Sequence, residues 1–459
     1  MSICHSGLTQ RVYGKTVSII VAQEHPLIRL ANALSWETLA ELVMPDLRMT
    51  AKKKWWVGRP LSLRVHLGAY VLQQLFNKTD RQTEYGIKDN AGYQLFCGKD
   101  IVKKWNCPDH TKIEEFRSRL TAETQQKLAN QLTRVATQLG FAKAEQLDID
   151  STIQEANMSY PSDVNLLGKL TAKVKKVRDY FMTHVKPLCP ELPEVDLKKV
   201  KSHIRDYFFK KPNNIQDKQS LQRKLWHTVC TEVKQTLRFC ENFEEILIES
   251  KLPWNIRTAI IQIKEHGKKY LLDVSHFIRK GTIQSGKILS FHAQAVSCFN
   301  KNKLDRRLQF GRNFQLGRVF GNFFIVGRCE TVRQEDKKSM QSMIKLHQEW
   351  FSGTTLESVT ADKGYYSKAN EKALKDAQVK KLGLQKPIRK KTNSDNGVSE
   401  KLVNRRAGIE PLIGHVKHLG QLGKSRMKSD KTTEASGYAA IMGFNGRQLM
   451  RYLMEAAVP

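Results

Sequence analysis

Gln146-Leu-Asp-Ile-Asp-Ser-Thr-Ile-Gln-Glu155 reads as a β-strand. Leu147 and Ile149 alternate with Asp148 and Asp150, the period-2 pattern of a strand with one apolar face. The other face then carries two acids, the second at the strand's exit before Ser151-Thr152. An aspartate at a strand end, turned from the core, is a common way to hold a divalent cation. It is equally common as a cap, so its meaning depends on what the rest of the chain brings to it.

Toward the C-terminus, Lys287–His292 is expected as a strand. Phe314–Leu316 and Phe320–Val326 follow as short apolar stretches around a turn at Gly317, and then a helix from Asp336 to about Trp350. Leu356–Asp362 is a further strand that again ends in aspartate, with Ser367 placed as N-cap of the next helix and Val379–Leu384 as another strand. A third acid, Glu410, lies in a helix whose apolar stripe is Ile409, Leu412, Ile413, Val416 and Leu419. Pro411 puts the start of that helix near Ala407 or Gly408, because a proline in the first turn misses no hydrogen bond. Glu410 and Lys417 then share one flank. An amphipathic helix over about Thr433–Leu453 closes the chain.

On the N-terminal side, residues from Leu27 to about Leu120 have helical texture. Stripes at Trp36, Leu39, Leu42 and Val43 and at Leu61–Leu75 support it, and Thr111 with Glu114 resembles a capping box opening a helix toward Leu139. Between the stripes, Lys52, Lys53, Lys54, Trp55, Trp56 and Arg59 form a cationic, aromatic loop. It suits a phosphate backbone as well as it suits a solvated linker anchored by its tryptophans. Residues 164–278 read as helices punctuated by prolines, dense in Lys and Arg and without catalytic spacing.

The 459 residues carry 77 Lys and Arg against 45 Asp and Glu, a formal charge of +32. A protein that basic calls for a polyanion, and nucleic acid is the first to consider. The run Val17–Ala22 is too short for a signal peptide or a membrane span, and the eight cysteines form no CxxC pair; reduced core thiols in a cytosolic protein are expected. Asp150, Asp362 and Glu410, if they converge, would repel one another unless a cation joins them. Hard oxygen donors suit Mg²⁺ or Mn²⁺, and two such ions can serve phosphodiester chemistry.

Three segments resemble the acidic blocks of DDE transposases from bacterial insertion sequences: Asp150-Ser-Thr-Ile-Gln-Glu-Ala156 with Tyr160-Pro-Ser-Asp163, Ala361-Asp-Lys-Gly-Tyr-Tyr-Ser367, and Gly408-Ile-Glu-Pro-Leu-Ile-Gly-His-Val-Lys417. Gly58-Arg-Pro60, Phe96-Cys-Gly98 and Pro108-Asp-His110 with Phe116-Arg117 resemble that family's N-terminal helical domain. Lys301–Leu316 resembles the strand pair before the second acid, and Ala440–Asn445 the C-terminal helix. Lys363 departs from the pattern, standing where the second block often has arginine.

The resemblance implies an α/β fold, an RNase H-like mixed sheet flanked by helices. An N-terminal helical domain for DNA binding and dimerisation would span 1–140, the catalytic domain 141–163 with 281–459, and a helical insertion 164–280. It implies that Asp150, Asp362 and Glu410 are catalytic and hold two Mg²⁺ ions, for which Mn²⁺ can substitute, with Asp148 the runner-up on its strand. It further implies DNA contacts from Lys52, Lys53, Lys54, Arg59, Arg405, Arg406 and Lys417. The partners would be double-stranded DNA (terminal inverted repeats and target) and a second copy of the chain in a homodimer, acting in the bacterial cytoplasm. The reaction would be hydrolysis at each element end followed by direct transesterification into target DNA. Two alternatives stay open: a nuclease of the same fold that does not join, and a DNA-binding protein that has lost catalysis.

Overall fold

The strand of the three acids' first member is the centre of a six-stranded sheet. The computed structural model describes residues 8–12, 15–19, 21–49, 62–99, 107–184, 194–211, 213–242, 252–300, 308–330, 336–385 and 400–456. Its elements fall into two compact units, Met1–Asn157 with Ser297–Pro459, and Met158–Val296.

In the first unit, strands β1 (Leu8–Val12) and β2 (Lys15–Ile19) form a small antiparallel ribbon. Helices α1 (Pro26–Ala33), α2 (Trp36–Met49), α3 (Leu63–Leu75), α4 (Asp80–Asp89), α5 (Ala91–Phe96), α6 (His110–Arg119) and α7 (Ala122–Gln138) follow. The helix expected from Thr111 to Leu139 is two. Asp109, not Thr111, caps α6 by accepting from the Lys112 amide at 2.8 Å. The chain then turns at Leu120, and Thr121 caps α7. Aspartate outcompetes threonine here because a charged oxygen is the stronger acceptor for a helix's first amides.

Strand β3 (Lys143–Glu155) pairs antiparallel with β5 (Leu308–Phe320) and parallel with β7 (Ser358–Ala361), which pairs parallel with β8 (Lys381–Leu384). The far edge of β5 is shared by β4 (Ser297–Asn300) and β6 (Phe323–Glu330). Counting only β3, β5, β6, β7 and β8, the spatial order is third, second, first, fourth, fifth. The turn between β5 and β6 is at Gly321-Asn322, both at positive φ (90° and 62°), and not at Gly317. That pair suits a tight hairpin whose twist matches its strands. Gly317 stays inside β5, where a side chain would strike Leu147, Ile325 and Met343.

Helices cover the sheet. Helix α13 (Asp336–Trp350) leads from β6 to β7 and α14 (Lys368–Asp376) from β7 to β8, the latter capped by Ser367 as expected. Then come α15 (Glu400–Ala407), α16 (Ile409–Leu419) and the long α17 (Asp430–Glu455). Arg312, almost fully buried in β5, ties the start of α17 through Asp430 (2.6 Å) and Glu434 (3.0 Å). Gly437 lets the helix press on Phe314, since a Cβ there would lie 2.3 Å from the ring. Leu30, Leu72 and Leu128 of the N-terminal helices and Leu147, Phe314 and Ile325 of the sheet belong to one continuous core.

The second unit is helical: α8 (Asp163–His184), α9 (Leu197–Phe209), α10 (Ile215–Asn242), α11 (Trp254–Gln262) and α12 (Lys268–Lys280), the last two joined by a π-turn at Ile263–Gly267. Its own core gathers Leu170, Val174, Phe181, Val229, Val233 and Ile263. Lys287–His292, expected as a strand of the sheet, is irregular chain belonging to this unit. Lys287 pairs with Asp163 at 2.5 Å, the Ile288 amide bonds Asp273, and Phe291 sits in this core, so the segment's apolar residues are spent there.

Candidate active site

The two acids of β3 have opposite environments. Asp148, 3% exposed, is enclosed: Arg318 donates to it at 2.9 and 2.6 Å, Arg405 at 2.8 Å and Thr360 Oγ1 at 2.6 Å. Arg318 lies directly opposite Asp148 in the β3–β5 register, and Thr360 opposite it on β7. Simple alternation would have left Asp148 open, but helices lie over this face as well. The Arg405 guanidinium is taken up by Asp148 and by Ser358 Oγ at 2.8 Å.

Asp150, two residues on, lies at the opening. Its side chain is 15% exposed, against 53% for Asp362 and 62% for Glu410. Asp362 follows the last residue of β7 and caps a 3₁₀ turn over Lys363–Tyr365, accepting from the Lys363 amide at 2.7 Å. Glu410 is in the first turn of α16, as the position of Pro411 predicts. These three carboxylates come from segments more than 200 and more than 40 residues apart, yet all reach one guanidinium. Arg406 at the end of α15 lies 3.6 Å from Asp150, 3.6 Å from Asp362 and 3.1 Å from Glu410. Lys417 is half-buried two turns along α16 from Glu410. Lys52, Lys53, Lys54 and Arg59 lie outside the described residues.

Residues that sequence reasoning did not single out hold this arrangement. Tyr365 is buried beneath the Asp362 turn and its hydroxyl donates to Gln315 of β5 at 2.7 Å, pinning the turn to the sheet. Burial, with the Asp336 and Asp150 carboxylates adding to it, pushes that phenol well above its ordinary pKa, so it remains a donor. Ser151 Oγ lies 3.5 Å from Asp336 at the start of α13. In the sequence Arg318 is one of two arginines in a strand that also carries Gln309, Asn313 and Gln315, so only its place opposite Asp148 distinguishes it.

Three carboxylates against one guanidinium leave two negative charges in excess within this group, which favours a divalent cation. The donors are all hard oxygens, and two of the three side chains are more than half exposed, a set that fits Mg²⁺. As they stand the carboxylates are spread around Arg406; among the described residues no three His, Cys, Asp or Glu side chains are grouped to hold an ion directly. A cation held by all three carboxylates would have to take the place of the guanidinium between them.

Residues 16–119 match the family model "Transposase domain (DUF772)". The match covers α1–α6 and under a quarter of the chain, and it supports a transposase family and a role in transposition. No curated protein and no solved structure matches the chain. No described helix is long and apolar enough to cross a membrane.

Proposed function

We propose that this chain is a DDE transposase, a metal-dependent enzyme that cuts and joins the ends of a mobile DNA element. The observation carrying the reading is the meeting of Asp150, Asp362 and Glu410 around Arg406 at one edge of the sheet. The strand order and the helices between β6, β7 and β8 support an RNase H-like catalytic fold. The transposase-domain match and the +32 charge support DNA as substrate.

Asp150, Asp362 and Glu410 would hold Mg²⁺, which when bound stabilises charge on the oxygens of a phosphodiester and favours deprotonation of the attacking group. The chain's own contribution is placement. Asp150 is fixed by a strand paired on both sides, Asp362 by its cap and the buried Tyr365, and Glu410 by the first turn of α16. Arg406, released from the carboxylates, and Lys417 on the same helix supply positive charge for a phosphate. In the first step water attacks the phosphorus at the element end, and the P–O bond to the 3′-oxygen breaks to leave a free 3′-hydroxyl. That hydroxyl then attacks a target phosphodiester: a new P–O bond forms, the target's 3′-oxygen leaves, and no bond to the protein is made. Two ends processed together call for a homodimer on paired inverted repeats, acting in the cytoplasm.

The test is transfer of a pre-cut 3′-end into plasmid DNA with Mg²⁺. Joining is expected for the native chain, and loss of joining with DNA binding retained for Asp150→Asn, Asp362→Asn and Glu410→Gln separately. Cutting without joining would make the chain a nuclease, and neither activity a DNA-binding protein.

A further inference from the structure

Apart from the acids, the first unit contains a cleft of about 370 Å³. It lies between the end of α3 and the turn after it, the end of α6, and the segment from Gln421 to Thr432 that leads into α17. Five cations, Lys78, Arg117, Arg426, Lys428 and Lys431, line it against one acid, Glu114. Arg117 is committed to Asp80 at 3.0 Å, Lys78 lies 4.8 Å over the Tyr93 ring, and Lys431 reaches the Ser118 carbonyl at 3.4 Å. Arg426 and Lys428 are exposed, and neither makes an ion pair among the described residues.

The cleft wall is anchored to the catalytic strand. The Ser425 amide donates to the Glu155 carbonyl (2.9 Å) and the Glu155 amide to the Gly423 carbonyl (3.0 Å). That attachment is five residues beyond Asp150, about 16 Å along the strand. We infer that this cleft holds a nucleotide of a single DNA strand, its phosphate at the cationic rim and its base inward. The volume suits a small ligand and excludes a double helix. Met427, half-buried in the lining, offers apolar surface to the face of a base, and Asn77, in the left-handed region at φ 47°, brings an amide to the same space. Cations tracking a backbone beside surface that can cover a base are what single strands require. The inference rests on DNA being the substrate and adds a strand-holding site distinct from the acids.

The experiment uses the full chain in buffer containing EDTA. Fluorescence anisotropy follows a labelled strand of about 12 nucleotides and the same sequence as a duplex. Ser118→Trp, at an exposed position lining the cleft, fills it without changing charge; it is expected to weaken strand binding at least about tenfold and to leave duplex binding within about threefold. The triple variant Arg426→Ala, Lys428→Ala, Lys431→Ala is expected to weaken strand binding and lower its salt slope by about 2. Replacing Lys372, Lys375 and Lys380 with Ala, away from the cleft, is expected to do neither. The inference is overturned if Ser118→Trp leaves strand binding unchanged, or if the two triple variants weaken it equally. Circular dichroism verifies folding, and should Ser118→Trp unfold, the paired triple variants decide the matter. Because no metal is present, a chain that holds the strand here yet fails to join DNA overturns the proposed function and not this site; the converse overturns this site alone.

Discussion

Asp148 and Asp150 are two residues apart on one strand, and in the sequence only the resemblance of the Asp150-Ser-Thr block separates them. Their surroundings differ. Asp148 accepts from two arginines and a threonine in a closed space, whereas Asp150 faces a guanidinium and two exposed carboxylates. Removing one partner of a buried ion pair strands the others, at a cost of about 3–5 kcal/mol. Asp148→Ala is therefore expected to lose about that much in urea unfolding, with any loss of joining following from instability. Asp150→Asn removes no buried partner and is expected to change stability by less than about 1 kcal/mol while abolishing joining. Equal destabilisation by both variants would reject this division of labour. Arg318 behaves as the counterpart of Asp148: Arg318→Met at the same site is expected to be as disruptive as Asp148→Ala, because the carboxylate then loses its bidentate donor.

Among elements, α17 shows how an exposed sheet edge is closed. The outer edge of β6 is met by side chains of α7 and α17: Asn130 and Gln126 bond Val326, Thr133 bonds the Phe324 carbonyl, and Asn445 bonds both the amide (3.0 Å) and the carbonyl (2.8 Å) of Phe324. A free edge would invite pairing with another chain. Asn445→Leu leaves the Phe324 amide without its partner in the core, while the carbonyl keeps the Thr133 hydroxyl, and is expected to cost about 1–3 kcal/mol by chemical denaturation. A second element contact, α4 to α6, turns on Glu84, which accepts from Lys88 at 2.6 Å and from the His110 ring and amide at 2.9 Å each. Those bonds, Lys88's first, hold its carboxyl down to about 2 from an ordinary value of 4.5. A lowered folded-state pKa contributes stability that is present above about pH 4.5 and lost as pH falls toward 2. Glu84→Gln should flatten the acid limb of a stability–pH curve over that window, and an unchanged limb would contradict the assignment. What was legible in the sequence was periodic or capped: β3, the helix Asp336–Trp350, the Ser367 cap and the Glu410 helix with its proline. What was not legible depended on partners far along the chain. Asn445 looks like any helical polar residue until β6 is beside it, Arg318 is one polar strand residue among several until Asp148 is opposite, and Lys287–His292 has strand texture but spends its apolar groups in the other unit.

At the scale of the molecule, the chain leaves the sheet after Asn157 and returns at Ser297, and the intervening residues form a unit with a separate core. The exit and return points are close in the first unit. The Ala156 amide bonds the Phe310 carbonyl on one side of β5, and Ser297 pairs with Gly311 on the other. Two strands flanking a third are about 10 Å apart, which a linker of about six flexible residues spans. The pairing of β3 with β5 and β7 does not involve the inserted residues, since those ladders are made from Lys143–Glu155 and its sheet neighbours. Met158–Val296 is large enough, at 139 residues, to bury most of its apolar surface alone. Expressed by itself it is expected to unfold cooperatively in urea, with a free energy of about 5–15 kcal/mol and helical circular dichroism. The complementary chain, with a short Gly-Ser linker in its place, is expected to unfold cooperatively as well and to retain the Asp148 coupling measured by Asp148→Ala. A broad, non-cooperative melt of Met158–Val296 alone would mean that its core needs the first unit, and the insertion could not then be treated as a separable domain.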